Sequence, residues 1–227
     1  MIKKLFRFLF KTILWFLVLS IGWVLVYRFL PVPATPLMAI RYFQSVTRIE
    51  TQHEWVPIED ISGAMAIAVI SAEDQNFLDH NGFDYEAIKK AYKDNKAGKR
   101  LKGGSTISQQ TAKNVFLWPG RSWFRKGLET YFTFLIENLW SKERIMEVYL
   151  NSIEMGEGVY GVQAAARFWF NKNARDLTKH EAASIAVILP NPRKYKASPR
   201  SGYLEARKQW VLRQMNNLGD INISKND

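Results

Sequence analysis

Hydrophobic and polar positions divide the chain into an apolar N-terminal stretch, a proline-rich connection and a body of helical pattern. Thr12 to Tyr27 is almost wholly apolar, with Phe29 and Leu30 just beyond Arg28. A helix rises about 1.5 Å per residue and a bilayer core takes roughly 20 residues. Residues 12–30 therefore predict one transmembrane helix, with Arg28 snorkelling to the interface and Trp15, Trp23 and Tyr27 as interfacial or lipid-facing anchors. A cleaved signal peptide fits less well, because its apolar core is shorter and the aromatics and prolines around Leu30 make a poor cleavage site. Pro31, Pro33 and Pro36 read as a stiff, extended segment. Residues 31–49 are expected to form a linker, 50–220 a domain and 221–227 a tail.

From Gly63 onward the pattern is almost entirely helical. Ile61 to Ala72 is apolar nearly all round, the mark of a buried helix. Tyr85–Ala97, Thr106–Phe116, Trp123–Trp140, Lys142–Asn151, Gly161–Phe170, Thr178–Leu189 and Leu204–Leu218 follow. Neither strand alternation nor a repeat stands out, so the body is predicted to be one mostly α domain.

Charge assigns the two ends of the apolar helix to sides of a membrane. Lys3, Lys4, Arg7 and Lys11 make residues 1–11 a basic tail, which the positive-inside rule puts in the cytoplasm, with the body outside. The chain has 227 residues and a formal net charge of +11, which favours anionic partners. A body across the membrane from the genome turns that charge towards lipid headgroups or a lipid-linked phosphate, not nucleic acid. With no cysteine there is neither a disulfide nor a thiolate metal site. His53, His80 and His180 lack metal-site spacing, so no protein-built metal site is expected.

Three segments can carry chemistry. In Gly103-Gly104-Ser105-Thr106-Ile107-Ser108-Gln109-Gln110-Thr111-Ala112-Lys113-Asn114, Thr106 and Gln109 fit a capping box. Gln110, Lys113 and Asn114 then share one helix face. Glycines before a helix start and a lysine after it suit an anionic oxygen cluster such as phosphate, and an ordinary capped helix fits equally well. The second segment is the acid pair Glu73-Asp74, which ends a helix without a polar face. Apolar surroundings and the negative helix end both raise a carboxyl pKa, as a general acid or base near neutral pH requires. A solvated or arginine-paired Glu73 is the alternative. Third, Arg121, Arg125 and Lys126 form a cationic cluster around Glu129. Arginine suits bidentate phosphate contacts, and Glu129 beside cations would stay ionised, unlike Glu73. The aromatics of Val115-Phe116-Leu117-Trp118-Pro119 and Trp123-Phe124 flank this cluster and suggest a patch that dips into a bilayer.

In order along the chain, these segments resemble the peptidoglycan glycosyltransferase family, the transglycosylase module of class A penicillin-binding proteins and of monofunctional enzymes. The matching motifs are Glu73-Asp74-x-x-Phe77-x-x-His80-x-Gly82-x-Asp84, Gly104-x-Thr106-Ile107-x-Gln109-Gln110-x-x-Lys113-Asn114 and Arg125-Lys126-x-x-Glu129. Lys142-x-x-Ile145-x-Glu147-x-Tyr149-Leu150-Asn151, Gly156-x-Gly158-x-x-Gly161, Glu181-Ala182-Ala183 and Leu189-Pro190-Asn191-Pro192 continue the series. The resemblance implies a lysozyme-like, two-lobed α fold. Its substrate would be lipid II, a disaccharide-pentapeptide on undecaprenyl pyrophosphate, joined to a growing glycan strand.

Carried over residue by residue, it makes Glu73 and Glu129 the catalytic carboxylates, Glu73 taking the proton of the acceptor sugar's 4-hydroxyl and Glu129 orienting cations or a divalent ion on the pyrophosphate. It makes Asp74, Thr106, Gln109, Gln110, Lys113, Asn114, Arg121, Arg125 and Lys126 substrate-binding. No cofactor is built in, and Mg²⁺ or Mn²⁺ would ride on the substrate pyrophosphate. Partners would be the membrane and other proteins of cell-wall synthesis and division, at the bacterial cytoplasmic membrane. Neither Ser-x-x-Lys nor Lys-Thr-Gly occurs, so the monofunctional form is expected. A lytic, lysozyme-like hydrolase and a non-catalytic, membrane-tethered wall-polymer binder are the competing readings.

Overall fold

The computed structural model of the chain describes residues 1–44, 50–96, 104–120, 122–198 and 201–219. Helix α1 spans Ile2–Phe29. It alone among the described residues is long and apolar enough to cross a membrane. It begins ahead of the expected Thr12, so the basic residues lie on the helix and not in a separate tail. Met1–Lys11 contains no glycine or proline, and a helix once nucleated propagates through such a stretch. The helix ends before Pro31, where Leu30 is extended at φ −102° and ψ 146°.

Two features correct the expected linker. Its second half is helical: α2 covers Pro36–Gln44. Thr35 caps it by accepting the Met38 N–H at 3.2 Å, and Pro36 fills the first helical position, where its missing N–H costs nothing. The end of α1 is also fastened to the body. Ser20 Oγ and Tyr131 Oη lie 2.8 Å apart. Trp140 Nε1 donates to the Val24 carbonyl at 2.9 Å. Arg144 Nη2 donates to the Tyr27 carbonyl at 2.8 Å and also to that of Leu30.

The body is built from α3 (Gly63–Glu73), α4 (Tyr85–Lys96), α5 (Ile107–Phe116), α6 (Trp123–Leu139) and α7 (Lys142–Ser152). Helices α8 (Val162–Phe170), α9 (Lys179–Ala186) and α10 (Gly202–Leu218) complete it. Ser122, Ser141, Thr178 and Ser201 cap α6, α7, α9 and α10 by accepting a first-turn N–H, each worth about 1 kcal/mol. Helix α9 stops short of the expected Leu189, and turns carry the chain to Pro190. The expected end of α4 at Ala97 lies outside the described residues.

One group of helices is α3 packed on α9 and α10; the other is α5 packed on α6 and α7, with α1 along α6. Helix α3 is buried from Met65 to Ser71, as its unbroken apolar pattern requires, and a continuous core joins the groups. A small sheet was not expected. It consists of β1 (Gln52–His53), β2 (Glu154–Gly156) and β3 (Val159–Tyr160), in the order β1-β3-β2. Strands of two or three residues are too short for alternation to register in sequence. Gly161 ends the sheet at φ +78°, and a Cβ there would lie 2.7 Å from the Asn151 carbonyl oxygen, so only glycine fits.

Candidate active site

The end of α3 meets the start of α5. Glu73 is the last residue of α3, and Asp74 after it turns away from the helix. The Asp74 carboxylate accepts the Ile107 N–H at 3.0 Å, at the positive end of α5, and His80 Nε2 at 3.0 Å. His80 Nδ1 accepts the Gly82 N–H at 3.1 Å, so the histidine proton sits on Nε2, facing Asp74. Gly82 holds φ +85° against Thr133 and Glu137, and its carbonyl accepts the Thr106 hydroxyl at 2.7 Å. The first motif thus locks the loop after α3 onto the start of α5, and His80 is a structural residue.

The expected capping box is present. Thr106 accepts the Gln109 N–H at 3.2 Å, and Gln109 accepts the Thr106 N–H at 3.0 Å. Thr106, Gln109 and Asp74 are therefore committed to holding α5. One turn along, Gln110 Nε2 donates to Glu73 Oε2 at 2.8 Å, while its Oε1 accepts the Tyr149 hydroxyl at 3.3 Å. Burial, reinforced by the charges of Glu73 and Asp74, pushes the Tyr149 phenol well above its ordinary pKa, so it stays a donor. That fixes which end of the Gln110 amide faces Glu73.

Burial raises the Glu73 pKa above its ordinary 4.5. The Gln110 hydrogen bond and then the charges of Arg207 and Lys113 pull the other way. Arg207 comes from α10, where its guanidinium lies 4.4 Å from the Trp210 ring centroid. Lys113 stands one turn beyond Gln110, about 4.5 Å along the axis. Burial lowers its pKa from 10.5, with Glu129 the strongest opposing charge. Glu129 is itself buried in α6 between Arg125 Nη1, at 3.0 Å from one oxygen, and Lys126 Nζ on the other. Asn114 is buried on the Lys113 face of α5.

Cavities open on two sides of this assembly. One of about 500 Å³ adjoins Glu73 and is lined by Ser71, Asp84, Glu86, Thr106 and Trp210. Another of about 340 Å³ is lined by Arg41, Lys113, Asn114, Trp118 and Arg125. Residues with a buried, unpartnered polar atom belong to both walls: Ser71 (Oγ) in the first, Arg41 and Arg125 (Nε of each) in the second.

The structure thus gathers Glu73, Gln110, Lys113, Asn114, Arg125, Lys126 and Glu129, with Asp74, Thr106 and Gln109 as their frame. Arg121 lies outside the described residues. Sequence reasoning missed Arg41, Arg207 and the role of Tyr149. Tyr149 carried a signal as a motif position, while Arg41 lay in a segment read as linker. The aromatic segment divides: Val115, Phe116 and Leu117 are core, whereas Trp118, Trp123 and Phe124 are exposed.

Residues 41–216 match the profile of the family described as Transglycosylase. The chain is 53% identical over 216 residues to the biosynthetic peptidoglycan transglycosylase of Bdellovibrio bacteriovorus, covering 94% of this chain and 86% of that protein. It is 52% identical over 218 residues to the one of Bacteroides thetaiotaomicron, covering 95% and 88%. With that of Pseudomonas putida strain F1 it shares 51% identity over 222 residues, covering 96% and 94%.

Proposed function

The chain belongs to the transglycosylase family, and we propose that it polymerises lipid II into linear glycan strands by inverting transfer, with Glu73 as the base. The observation that carries this reading is the position of Glu73, a carboxyl of raised pKa on the wall of a roomy cavity, within electrostatic reach of Lys113 on the wall of the cation-lined one. The acceptor sugar enters beside Glu73, and its 4-hydroxyl gives its proton to that carboxylate. The hydroxyl oxygen bonds to the anomeric carbon of the growing strand from the face opposite the diphosphate. The carbon–oxygen bond to the diphosphate breaks, and undecaprenyl pyrophosphate leaves with the electron pair. Lys113, Arg125 and Lys126 receive the charge developing there, as fixed donors in a partly dry site. Glu129 spaces Arg125 and Lys126 and keeps their mutual repulsion in check.

The wall of the cation-lined cavity does not suit a divalent ion held by the protein. Arg41, Lys113 and Arg125 are cations, and both Glu129 oxygens are occupied. Mg²⁺ or Mn²⁺ would arrive on the substrate's phosphates. Incubation with labelled lipid II tests the reading: strands should lengthen on a gel and moenomycin should stop them. Purified glycan strands should stay intact; their shortening would mark a hydrolase and overturn it.

The anchor lies in the cytoplasmic membrane with its basic end inside and the body on the outer face. Helices α1 and α6 run side by side, Ser20 against Tyr131 and Val24 against Trp140. The start of α6 therefore points towards the bilayer, carrying Trp123 and Phe124, which are 93% and 71% exposed. These side chains and Trp118 dip among the lipids. Changing Trp118 and Trp123 to serine in a variant shortened to residues 31–227 should lower its partition into vesicles about tenfold. Full burial of one large apolar side chain is worth about 1.5–3 kcal/mol, and partial burial of two suffices. Unchanged partition in a flotation assay would remove the patch from the membrane. Other proteins of wall synthesis and division would meet the enzyme on this outer side.

A further inference from the structure

The cation-lined cavity has a wall that none of the catalytic motifs provides. Leu37 and Arg41 of α2 close it, facing Lys113, Asn114 and Arg125. Arg41 is not built like a structural arginine. Arg144, which is one, donates to the carbonyls of Tyr27 and Leu30 and to the Glu147 carboxylate. Arg41, by contrast, forms no ion pair within 4 Å among the described residues, and its Nε is buried without a partner. The Nε of Arg125, on the same cavity, is likewise buried and unpartnered. Three cationic side chains, Arg41, Lys113 and Arg125, around a space with no acid among the described residues of its wall suit an oxygen-rich anion. The acid nearest in influence is Glu154, buried across a second cavity of about 190 Å³ that Arg41 also borders, together with Tyr160 and Arg193. Arg41 is one of the charges opposing the upward push of burial on the Glu154 pKa. Arg193 is already paired with Glu157 at 2.9 Å. Glu154 thus offsets the Arg41 charge without taking up its donors.

We propose that Arg41 is a further substrate-binding residue, one that joins Lys113 and Arg125 in gripping the diphosphate of the lipid-linked substrate. This rests on the reading under Proposed function and adds a contact supplied from outside the catalytic helices. The planar guanidinium meets two phosphate oxygens in one fixed fork, where a lysine offers only a point charge. Helix α2 follows directly on the membrane anchor, so the contact is delivered where the lipid's phosphates lie. The same chemistry would serve the phosphate of an acidic phospholipid headgroup, and the experiment separates the two.

Full-length wild-type, Arg41→Gln and Arg41→Lys proteins are compared for lipid II polymerisation in detergent, in phosphatidylcholine vesicles and in vesicles containing phosphatidylglycerol. The Gln variant should raise KM about tenfold in all three settings, as loss of a charged hydrogen bond predicts, with kcat changing much less. Inhibition by added undecaprenyl diphosphate should weaken in parallel, and the Lys variant should fall between the two. The thermal midpoint should stay within about 2 °C of wild type. Unchanged kinetics, or a defect confined to phosphatidylglycerol vesicles, would overturn the assignment, the latter giving Arg41 to the headgroup. A lowered thermal midpoint with full recovery in the Lys variant and unaltered inhibition by undecaprenyl diphosphate would also overturn it. If wild type itself fails to lengthen lipid II, the reading of the site fails instead, which is a distinguishable result.

Discussion

Glu73→Gln is expected to cut polymerisation about a thousandfold while leaving the protein at least as stable as before. A positioned general base contributes about 10² to 10⁴ in rate, and glutamine keeps the shape of the side chain while removing its capacity to take a proton. Stability moves the other way for a reason contained in the site. The folded-state pKa of Glu73 is raised above its ordinary 4.5, and burial is the main cause. The stabilisation due to its neutral form is complete below the unfolded pKa and is lost as pH rises through the folded one. At neutral pH the charge therefore opposes folding, and the neutral amide removes that cost. A gain of about 1 kcal/mol would raise the thermal midpoint by roughly 2–4 °C in a domain of this size. The same shift predicts an acid limb of the rate profile above 4.5. Gln110→Ala, which deletes a hydrogen bond to the charged form, should move that limb higher still. A Glu73→Gln protein that still makes long strands, or one that unfolds, would end the assignment of the base.

Lys113→Ala should lower turnover about a hundredfold, the scale seen when one donor to a developing anion is removed from a preorganised site. Lys113 stands one turn past the residue that holds Glu73, and in the proposed mechanism it links the base to the departing diphosphate. Its charge is costly in the folded state, since burial lowers its pKa from 10.5. Below that lowered pKa the ammonium opposes folding, so deleting it should not lower the thermal midpoint by more than the lost packing of its stem. Lys113→Met, which keeps the stem, should match the activity loss with no fall in midpoint. Calorimetry beside single-turnover kinetics checks both, and a collapsed midpoint in the Met variant would make the residue structural.

Local pattern made some of this legible and left the rest hidden. The buried helix ending in Glu73 and the Thr106–Gln109 cap could be read because each is specified by neighbours within a few positions. Asp74, Thr106 and Gln109 were expected to touch substrate, yet their polar atoms hold α5 to the loop after α3. Motif letters give the position of such residues, while their partners, Ile107 and Gly82, are matters of folding. The docking of α1 depends on contacts such as Ser20 with Tyr131, distant in sequence, and no periodicity announces them. Helix α2 had a local signal in Thr35-Pro36, a cap followed by a proline at the first helical position, but three nearby prolines suggested extended chain. Arg41 was missed with it. Likewise Phe116 and Trp123 are both aromatics near the cationic segment; one stacks on Phe132 with centroids 4.6 Å apart and the other faces outward.

The bonds from Tyr131, Trp140 and Arg144 to the last turns of α1 make the anchor a post and not a leash. With α1 in the bilayer as proposed, a post fixes the altitude and tilt of the site relative to the lipid sheet, so lipid-linked monomers would reach it by skating in two dimensions at one height. On the same reading the finished polymer would be paid out past a mouth held at one place, the thread and not the machine doing the moving.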